Sequence, residues 1–342
     1  MQPINEKINN VARGLAETLG FLFNPLLLSI KGENSQLLVF YFHGLYQSLG
    51  QRDLNHIDPQ KNMTVSQFND FVDYFLNLNY TFIRPEDLLA DLDTHNRYVM
   101  ITFDDGYYNN MLALPILEKF NIPAVFFITA DNVKENKAFW WDVIYKHRTK
   151  QGVSGLQIHN EQEMLKVYKH DHISNYINKN FGEESSIPWS DIDRPLTLQE
   201  VKILAKNPFA VIGNHTYHHA LLPNYEKNEI EEEIARSNDF LRSLTGITPI
   251  SIAFPNGYYN KLVLEVVEAA GFRIAFSAVP GKNNLPVDNS KLICLKRFMS
   301  NNNNIKNYGS FFRLGYTPGS LFSKIKESLH AEHKQEYLTG IR

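Results

Sequence analysis

Short apolar segments that alternate with amphipathic segments dominate the chain from residue 37 onward. The first kind is rich in β-branched and aromatic residues, and the second carries apolar residues three and four positions apart. This alternation is typical of βαβ units, in which helices cover a mostly parallel sheet. The predicted strands are 37–42, 80–83, 98–103, 124–128, 209–212, 250–254, 273–277 and 292–296. The predicted helices are 65–78, 109–120, 197–206, 228–244 and 261–270.

The pattern divides the chain into three parts. Residues 1–36 form a predicted helical segment, residues 37–300 a predicted α/β domain, and residues 301–342 a loop of four asparagines followed by a charged helix. The alternation breaks once, at 139–196, where an aromatic patch precedes a polar stretch. We interpret that stretch as an insertion at the exit of a strand. At a finer scale, Thr64 with Gln67 predicts a helical capping box, and Gly271 predicts a helix end.

Composition excludes some classes of partner. Lys and Arg number 34 against 37 Asp and Glu, and the sequence contains no basic run, so nucleic acid is not an expected partner. The single cysteine, Cys294, cannot form an internal disulfide, which fits a reducing cytoplasm.

The N-terminal region contains an apolar stretch at residues 21–30. Acidic Glu6 and Glu17 precede it, and neither a basic start nor a small-residue cleavage site is present, so we predict no signal peptide. The stretch is too short to span a bilayer. It either packs on its own domain, which we favour, or lies as an amphipathic helix on a membrane or a partner. The expected location is therefore the cytoplasm, with membrane association as a possibility.

Two adjacent carboxylates follow one predicted strand. In residues 99–106, VMITFDDG, the apolar run delivers Asp104 and Asp105 into a glycine turn. A plain Asp-Gly turn would explain the string equally well. Chemistry in parallel α/β folds gathers at the C-terminal ends of strands, and this position favours a functional interpretation.

Two histidines follow another predicted strand, in residues 212–220, IGNHTYHHA. His215 and His219 are four residues apart and can face one metal, although such a pair is often a surface coincidence. With Asp105 they make a set of two histidines and one carboxylate, which suits Zn²⁺ and also Co²⁺, Ni²⁺ or Fe²⁺. Open coordination positions would remain for water and substrate. Asp104 would then be free to act as general base.

Three further strand ends carry candidate residues. The turn containing Pro255 and Asn256 can present the backbone N–H of Asn256 to an oxyanion, although it can equally be a simple turn. His43 follows the first strand and Arg297 the last. A core histidine and a surface arginine are the alternative interpretations of these two residues.

These motifs resemble those of the polysaccharide deacetylases with NodB homology. The family's T-F-D-D-G motif stands at residues 102–106, its H-[ST]-x-x-H motif stands at 215–219, and the resemblance spans about 37–297. It implies an α/β fold of the deformed (β/α)₇-barrel type, with Asp105, His215 and His219 as metal ligands and Asp104 as base. The implied reaction removes an N-acetyl group from a hexosamine.

The sequence departs from the family at two places. The third motif, R-x-P-[YF], appears only as AFPN at 253–256, without its arginine, and Arg297 is our candidate substitute. The late L-x-H motif, which supplies the general acid, is not found where expected, and His43 is our candidate for that role. His218 stands where the family often has serine, and we expect it to support the ligands without being one.

With its F-W-W-D run at 139–142, the sequence resembles the cytoplasmic deacetylases of surface-polysaccharide and lipopolysaccharide gene clusters. The expected partner is an N-acetylated sugar that is nucleotide-linked, lipid-linked or part of an oligosaccharide. Trp140 and Trp141 either stack on a sugar face or anchor the insertion. Two other functions stay open: a related amidase or deformylase acting on another amide, and a sugar-binding barrel without catalysis.

Overall fold

A curled sheet of mostly parallel strands organises the computed structural model, which describes residues 2–33, 35–60, 63–90, 92–287, 289–300 and 305–317. The strands are β1 (Gln36–Phe42), β2 (Leu45–Tyr46), β3 (Met63–Thr64), β4 (Thr81–Phe82), β5 (Arg97–Phe103), β6 (Ala124–Ile128), β7 (Ala210–Asn214), β8 (Ser251–Ala253), β9 (Ile274–Phe276), β10 (Asn283–Asn284) and β11 (Phe298–Met299). The α-helices are α1 (Gln2–Lys31), α2 (Leu49–Arg52), α3 (Val65–Asn77), α4 (Leu114–Phe120), α5 (Ala130–Glu135), α6 (Trp140–Lys150), α7 (Gly155–Leu165), α8 (His170–Phe181), α9 (Leu198–Lys206), α10 (Lys227–Thr245), α11 (Lys261–Ala269) and α12 (Ile305–Leu314). Short 3₁₀ helices lie at Pro85–Leu89, Tyr108–Ala113, Glu183–Ser186, Leu222–Asn224, Pro255–Gly257 and Asn289–Cys294.

The main sheet runs in the order β1, β5, β6, β7, β8, β9, and these strands are parallel. β4 and β11 pair in parallel with β5 and β1, and β10 pairs antiparallel with β1. β2 and β3 form a separate two-stranded sheet. Consecutive parallel strands need crossover connections, and helices supply most of them.

The sheet curls because one segment touches both of its ends. Leu295 forms a parallel bridge with Phe276 of β9, and its N–H donates to the carbonyl of Ala275 over 2.9 Å. Three residues later, Phe298 of β11 lies opposite Phe40 of β1. The segment therefore joins the last strand to the first. The α/β half-barrel that results confirms the predicted fold class.

Two predicted elements differ in the structure. The strand expected at 292–296 is largely a 3₁₀ helix, Asn289–Cys294. The Asn283 side chain accepts from the N–H of Lys296 and donates to its carbonyl, both over 3.0 Å, so a side chain takes hydrogen bonds that a strand ladder would use. The helix expected at 109–120 begins as the 3₁₀ helix Tyr108–Ala113 before α4. By contrast, the Thr64–Gln67 capping box is present, and Gly271 adopts a φ of 88° after α11.

Aromatic packing fixes the strands against the helices outside the sheet. Phe40 is fully buried, and its ring centroid lies 4.9 Å from that of Phe71, 5.2 Å from that of Phe312 and 5.8 Å from that of Phe298. Aromatic pairs at these separations contribute about 0.5–1.5 kcal/mol each beyond burial. The packing holds β1 against α3, α12 and β11, so the ends of the strands are rigidly placed.

Residues outside the sheet form helical layers. The segment 139–196 contains α6, α7 and α8, and it is stabilised by a fully buried ion pair of Lys146 and Asp193 at 2.8 Å. α1 packs on α12 through Phe21, whose ring centroid lies 5.2 Å from that of Tyr308. Within the described ranges, no helix has the length and apolarity needed to cross a membrane. The loop expected at 301–304 and the charged helix expected toward residue 342 lie outside the described residues.

Candidate active site

The strand ends bring the sequence-predicted site residues to one cavity of about 450 Å³. Asp104 and Asp105 follow β5, His215 follows β7, Asn256 follows β8, and Arg297 immediately precedes β11. The predicted residues that line this cavity are His43, Asp104, Asp105, Trp140, Trp141, His215, His219, Asn256 and Arg297. Pro255 is buried in the same turn as Asn256 and is not among the lining residues.

Asp105, His215 and His219 form a compact, buried cluster. One carboxylate oxygen, Oδ1 of Asp105, lies 3.3 Å from Nε2 of His215 and 3.3 Å from Nε2 of His219. Their ligand-type atoms all lie within 4.8 Å of one another. The three side chains therefore point at one small volume at the end of β5 and β7.

The second ring nitrogen of His215 shows which tautomer the site favours. Nδ1 of His215 lies 2.8 Å from the carbonyl oxygen of Ala253, an acceptor only, so Nδ1 carries the proton and donates it. Nε2 then keeps its lone pair toward Asp105. Burial lowers the pKa of His219 and keeps that ring neutral. Both imidazoles are thus in the form that binds metal.

A divalent metal fits this cluster on two observations. Oδ2 of Asp105 is buried and has no hydrogen-bond partner among the described residues. Burial raises the pKa of Asp105, but the adjacent rings of His215 and His219 outweigh it and hold that pKa well below its ordinary value. An ionised, incompletely satisfied carboxylate beside two neutral imidazoles is the donor set that Zn²⁺ and related metals prefer.

Asp104 is held differently, by a buried arginine. Nη1 and Nη2 of Arg297 donate to Oδ1 and Oδ2 of Asp104 over 2.8 and 2.9 Å. The guanidinium also donates through Nε to the carbonyl of Ser277 and through Nη1 to Oγ1 of Thr102, and Arg297 is only 1% exposed. The alternative of a surface arginine is therefore wrong. The two-pronged ion pair fixes the orientation of the Asp104 carboxylate.

We expect Arg297→Lys to leave the protein folded but less active and less stable. An ammonium cannot make the paired hydrogen bonds of a guanidinium, so the Asp104 carboxylate becomes mobile. We predict a kcat about tenfold lower and an unfolding free energy lower by about 1.5–3 kcal/mol, the contribution of a hydrogen bond to a charged group.

Steady-state kinetics and denaturant unfolding measure both effects. Arg194→Lys is the matched control, since Arg194 makes a similar paired contact with Glu200 over 2.8 and 2.9 Å away from the cavity. That variant should keep its kcat. Equal losses of kcat in both variants would contradict the positioning role of Arg297.

The backbone at the site adopts a conformation that few side chains tolerate. Asp105, Thr216, His219 and Asn256 have φ values of 75°, 64°, 53° and 55°. Left-handed conformations of non-glycine residues cost on the order of 1–3 kcal/mol each and concentrate at functional sites. A hydrogen bond partly compensates at Thr216, whose N–H donates to Oδ1 of Asn214 over 2.7 Å.

The two tryptophans have different surroundings. Trp141 is 7% exposed, its ring lies 4.6 Å from that of His219, and its Nε1 donates to the Tyr107 hydroxyl over 2.9 Å. Tyr107 in turn donates to Asp142 over 2.6 Å. Trp141 therefore anchors α6 to the cluster of Asp105, His215 and His219, whereas Trp140 is half-buried and borders the cavity.

One wall of the cavity was not predicted from the sequence. It is polar and comes from α7, the residue following it and the loop after α2, and its members are Asp58, Gln60, His159, Gln162, Glu163 and Lys166. Nε2 of Gln162 donates to Oδ2 of Asp58 over 2.9 Å, which ties the two segments together. Only the helical spacing of residues 159, 162, 163 and 166 in the sequence could have indicated a shared face.

The family assignment follows from comparison of the sequence. The model of the polysaccharide deacetylase family matches residues 91–275, which is more than half of the chain. The chain belongs to the polysaccharide deacetylase family, and the family implies de-N-acetylation of a polysaccharide. Among curated protein sequences, none matches this chain.

Solved structures agree on the fold. A polysaccharide deacetylase from Bacillus cereus superposes with a TM-score of 0.56 at 19% identity, over 81% of this chain and 69% of the other. IcaB from Ammonifex degensii gives 0.55 at 17% identity, over 82% and 98%. The Streptococcus pyogenes deacetylase PplD, solved in complex with acetate, gives 0.55 at 16% identity, over 79% and 94%. At these identities the similarity supports the fold alone.

Proposed function

We propose that this chain is a metal-dependent hydrolase that removes the N-acetyl group from an amino sugar of a surface polysaccharide or its precursor. The proposal rests on the different surroundings of two adjacent carboxylates, Asp104 and Asp105. Asp105 joins His215 and His219 in a metal-type cluster, whereas Asp104 is kept out of it by Arg297. A metal ligand and a general base are thus supplied side by side.

The metal would be held by Asp105, His215 and His219, with Zn²⁺ as our first choice. When bound, it supplies Lewis acidity that activates water and polarises the amide carbonyl. Asp104 borders the cavity, with both carboxylate oxygens engaged by Arg297, and it accepts the proton of the attacking water. Such general base catalysis contributes on the order of 10²–10⁴ in rate.

Two other residues complete the proposed reaction. His43 borders the cavity, and we assign it the protonation of the leaving amine. Asn256 borders it from the end of β8, with a left-handed backbone conformation, and we assign its N–H to stabilise the oxyanion. We assign these two roles because amide hydrolysis needs an acid for the leaving amine and a hydrogen-bond donor for the oxyanion.

The substrate class follows from the shape and lining of the cavity. The volume of about 450 Å³ lies in the ordinary range of small-molecule sites and accommodates one or two sugar rings. Half-buried Trp140 offers an apolar platform for a sugar face, and the polar wall of α7 offers hydrogen-bonding groups in the same cavity. We propose an N-acetylated hexosamine that is nucleotide-linked, lipid-linked or within an oligosaccharide.

The proposal is tested with a substrate panel. The zinc-loaded protein is incubated with N-acetylated nucleotide sugars, a lipid-linked N-acetylhexosamine and oligosaccharides, and both acetate and free amine are quantified. We expect release of equal amounts of the two from at least one member. Formate or ring-opened products from matched amides, without acetate, would favour the amidase alternative. Saturable sugar binding without any product would favour the sugar-binding barrel.

We further propose that the protein works at the cytoplasmic surface of a membrane. One face of α1 buries Gly20, Asn24 and Leu28, and Phe21 beside them packs on α12. The opposite face exposes apolar side chains at helical spacing, namely Leu19, Leu22, Phe23, Leu26, Leu27 and Ile30. A helix of this kind lies in the interfacial plane with its apolar face among the acyl chains.

We expect the double variant Leu22→Glu and Leu26→Glu to lose binding to vesicles of phosphatidylethanolamine and phosphatidylglycerol. Burial of one leucine side chain contributes roughly 1.5–3 kcal/mol, so the partition coefficient should fall at least about tenfold. The matched control is Leu198→Glu with Ile203→Glu, two exposed apolar residues of α9. Vesicle co-sedimentation measures the effect. Equal binding by both double variants would contradict the role of α1.

A further inference from the structure

A second group of ligand-type side chains lies beside the proposed catalytic cluster. Asp131, His170 and His218 place one potential ligand atom each within 4.8 Å of the others. They border a separate cavity of about 300 Å³ and are half-buried. The proposed deacetylation uses none of these three groups. His218 is also the residue at which the second sequence motif carries an unexpected histidine.

The three residues come from three different elements with a fixed backbone. Asp131 lies in the first turn of α5, and its N–H donates to the carbonyl of Tyr217 over 2.8 Å. His170 is the first residue of α8, and its N–H donates to the Tyr225 hydroxyl over 2.7 Å. His218 lies in the loop after β7. The cluster therefore spans the contact between α8 and the barrel.

Glu233 prepares His218 for metal binding. This buried carboxylate of α10 hydrogen bonds with Nδ1 of His218 and accepts the N–H groups of Tyr217 and His218 over 3.2 and 3.0 Å. A carboxylate that holds one imidazole nitrogen leaves the other as a ligand of fixed orientation. Most ligating histidines in proteins have such a support.

The His170 ring is stacked against the His218 ring. The two ring centroids lie 4.0 Å apart with planes at 21°, and the Ser174 hydroxyl lies 3.1 Å from Nε2 of His170. His170, His218 and Asp131 all border the same cavity.

We propose that Asp131, His170 and His218 bind a second divalent cation of the Zn²⁺ type, distinct from the one held by Asp105, and that it fastens α8 to the barrel. Two imidazoles and one carboxylate are a suitable set for zinc. Trp140, Trp141 and His219 border both cavities and lie between them. A cation at the second site stiffens the wall on which the proposed sugar platform rests.

The test counts bound metal and does not depend on activity. The full chain is stripped with chelator, dialysed against buffered Zn²⁺ or Co²⁺, and its metal content and cobalt absorption spectrum are measured. We expect two equivalents in the wild type and one each in His170→Asn and Asp105→Asn. For the second site, His170→Asn should weaken affinity by on the order of 100-fold or more, since even support residues contribute 10–100-fold.

His172→Asn is the matched control, because His172 is exposed on the same helix and outside the cluster. It should keep two equivalents, and circular dichroism should show all variants folded. Two equivalents in folded His170→Asn, or a single wild-type equivalent that disappears in Asp105→Asn, would overturn the proposal. A single equivalent that survives in Asp105→Asn but not in His170→Asn would support it while contradicting the proposed catalytic metal.

Discussion

Asp104→Asn is expected to lower kcat for deacetylation by on the order of 10²–10⁴ while leaving metal at the Asp105 cluster. The carboxamide keeps the shape of the side chain and one acceptor for Arg297, but it cannot take a proton from water. Because Asp104 does not belong to the metal-type cluster, metal content should stay at the wild-type value. Acetate release and bound zinc are measured on the same samples.

The matched control for Asp104→Asn is Asp239→Asn, an exposed position on α10 that pairs only locally with Arg242 at 2.7 Å. This control should retain wild-type kcat. If Asp104→Asn loses its metal, or retains full activity, the assignment of a separate base next to a metal ligand does not hold.

His215→Ala is expected to abolish both metal binding at the catalytic cluster and detectable deacetylation. The variant removes one of three nitrogen or carboxylate ligands, and it leaves the Asp105 carboxylate buried beside a single imidazole. We predict that zinc affinity at this cluster falls by roughly 100-fold or more, beyond the 10–100-fold typical of supporting residues. Competition with a chromophoric chelator measures the affinity.

His95→Ala controls for the loss of a histidine, because the His95 side chain is 93% exposed and remote from the cluster. It should match the wild type in both assays. Full activity of His215→Ala after exhaustive chelation would show that the reaction does not depend on this metal cluster.

The sequence predicted the site residues that directly follow a predicted strand. The D-D-G run and the paired histidines each follow a predicted strand, and strand ends of a parallel sheet meet at one edge. That rule suffices to bring Asp105, His215 and His219 together. The positive φ values of Asp105 and His219 have no comparable sequence signal, since neither residue is glycine.

Other features depend on contacts that are remote in sequence. Arg297 pairs with Asp104 across 193 positions, and only the closure of the sheet between β9 and β1 puts it there. The 3₁₀ helix at Asn289–Cys294 stands where a strand was predicted, and just after it the Asn283 side chain takes both backbone hydrogen bonds of Lys296. Local apolar composition alone does not predict that a side chain will take the backbone hydrogen bonds of a strand.

The arrangement of the segment 139–196 was the least accessible from sequence. The F-W-W-D run suggested either a sugar platform or an anchor, and the structure gives Trp141 the contacts of an anchor through Tyr107 and His219. The polar wall on α7 depends on how that helix packs beside the barrel. Nothing in the spacing of its residues specifies the direction it faces.

The most direct test of the central claim is acetate release by the chelator-stripped protein before and after addition of one catalytic equivalent of Zn²⁺. The substrate is the N-acetylhexosamine derivative that the panel identifies, and free amine is quantified alongside. We predict negligible release without metal, recovery of release on zinc addition, and no recovery in Asp104→Asn. Undiminished release by the stripped protein, or zinc binding at the Asp105 cluster without release of acetate from any N-acetylated sugar, would contradict the assignment as a metal-dependent de-N-acetylase.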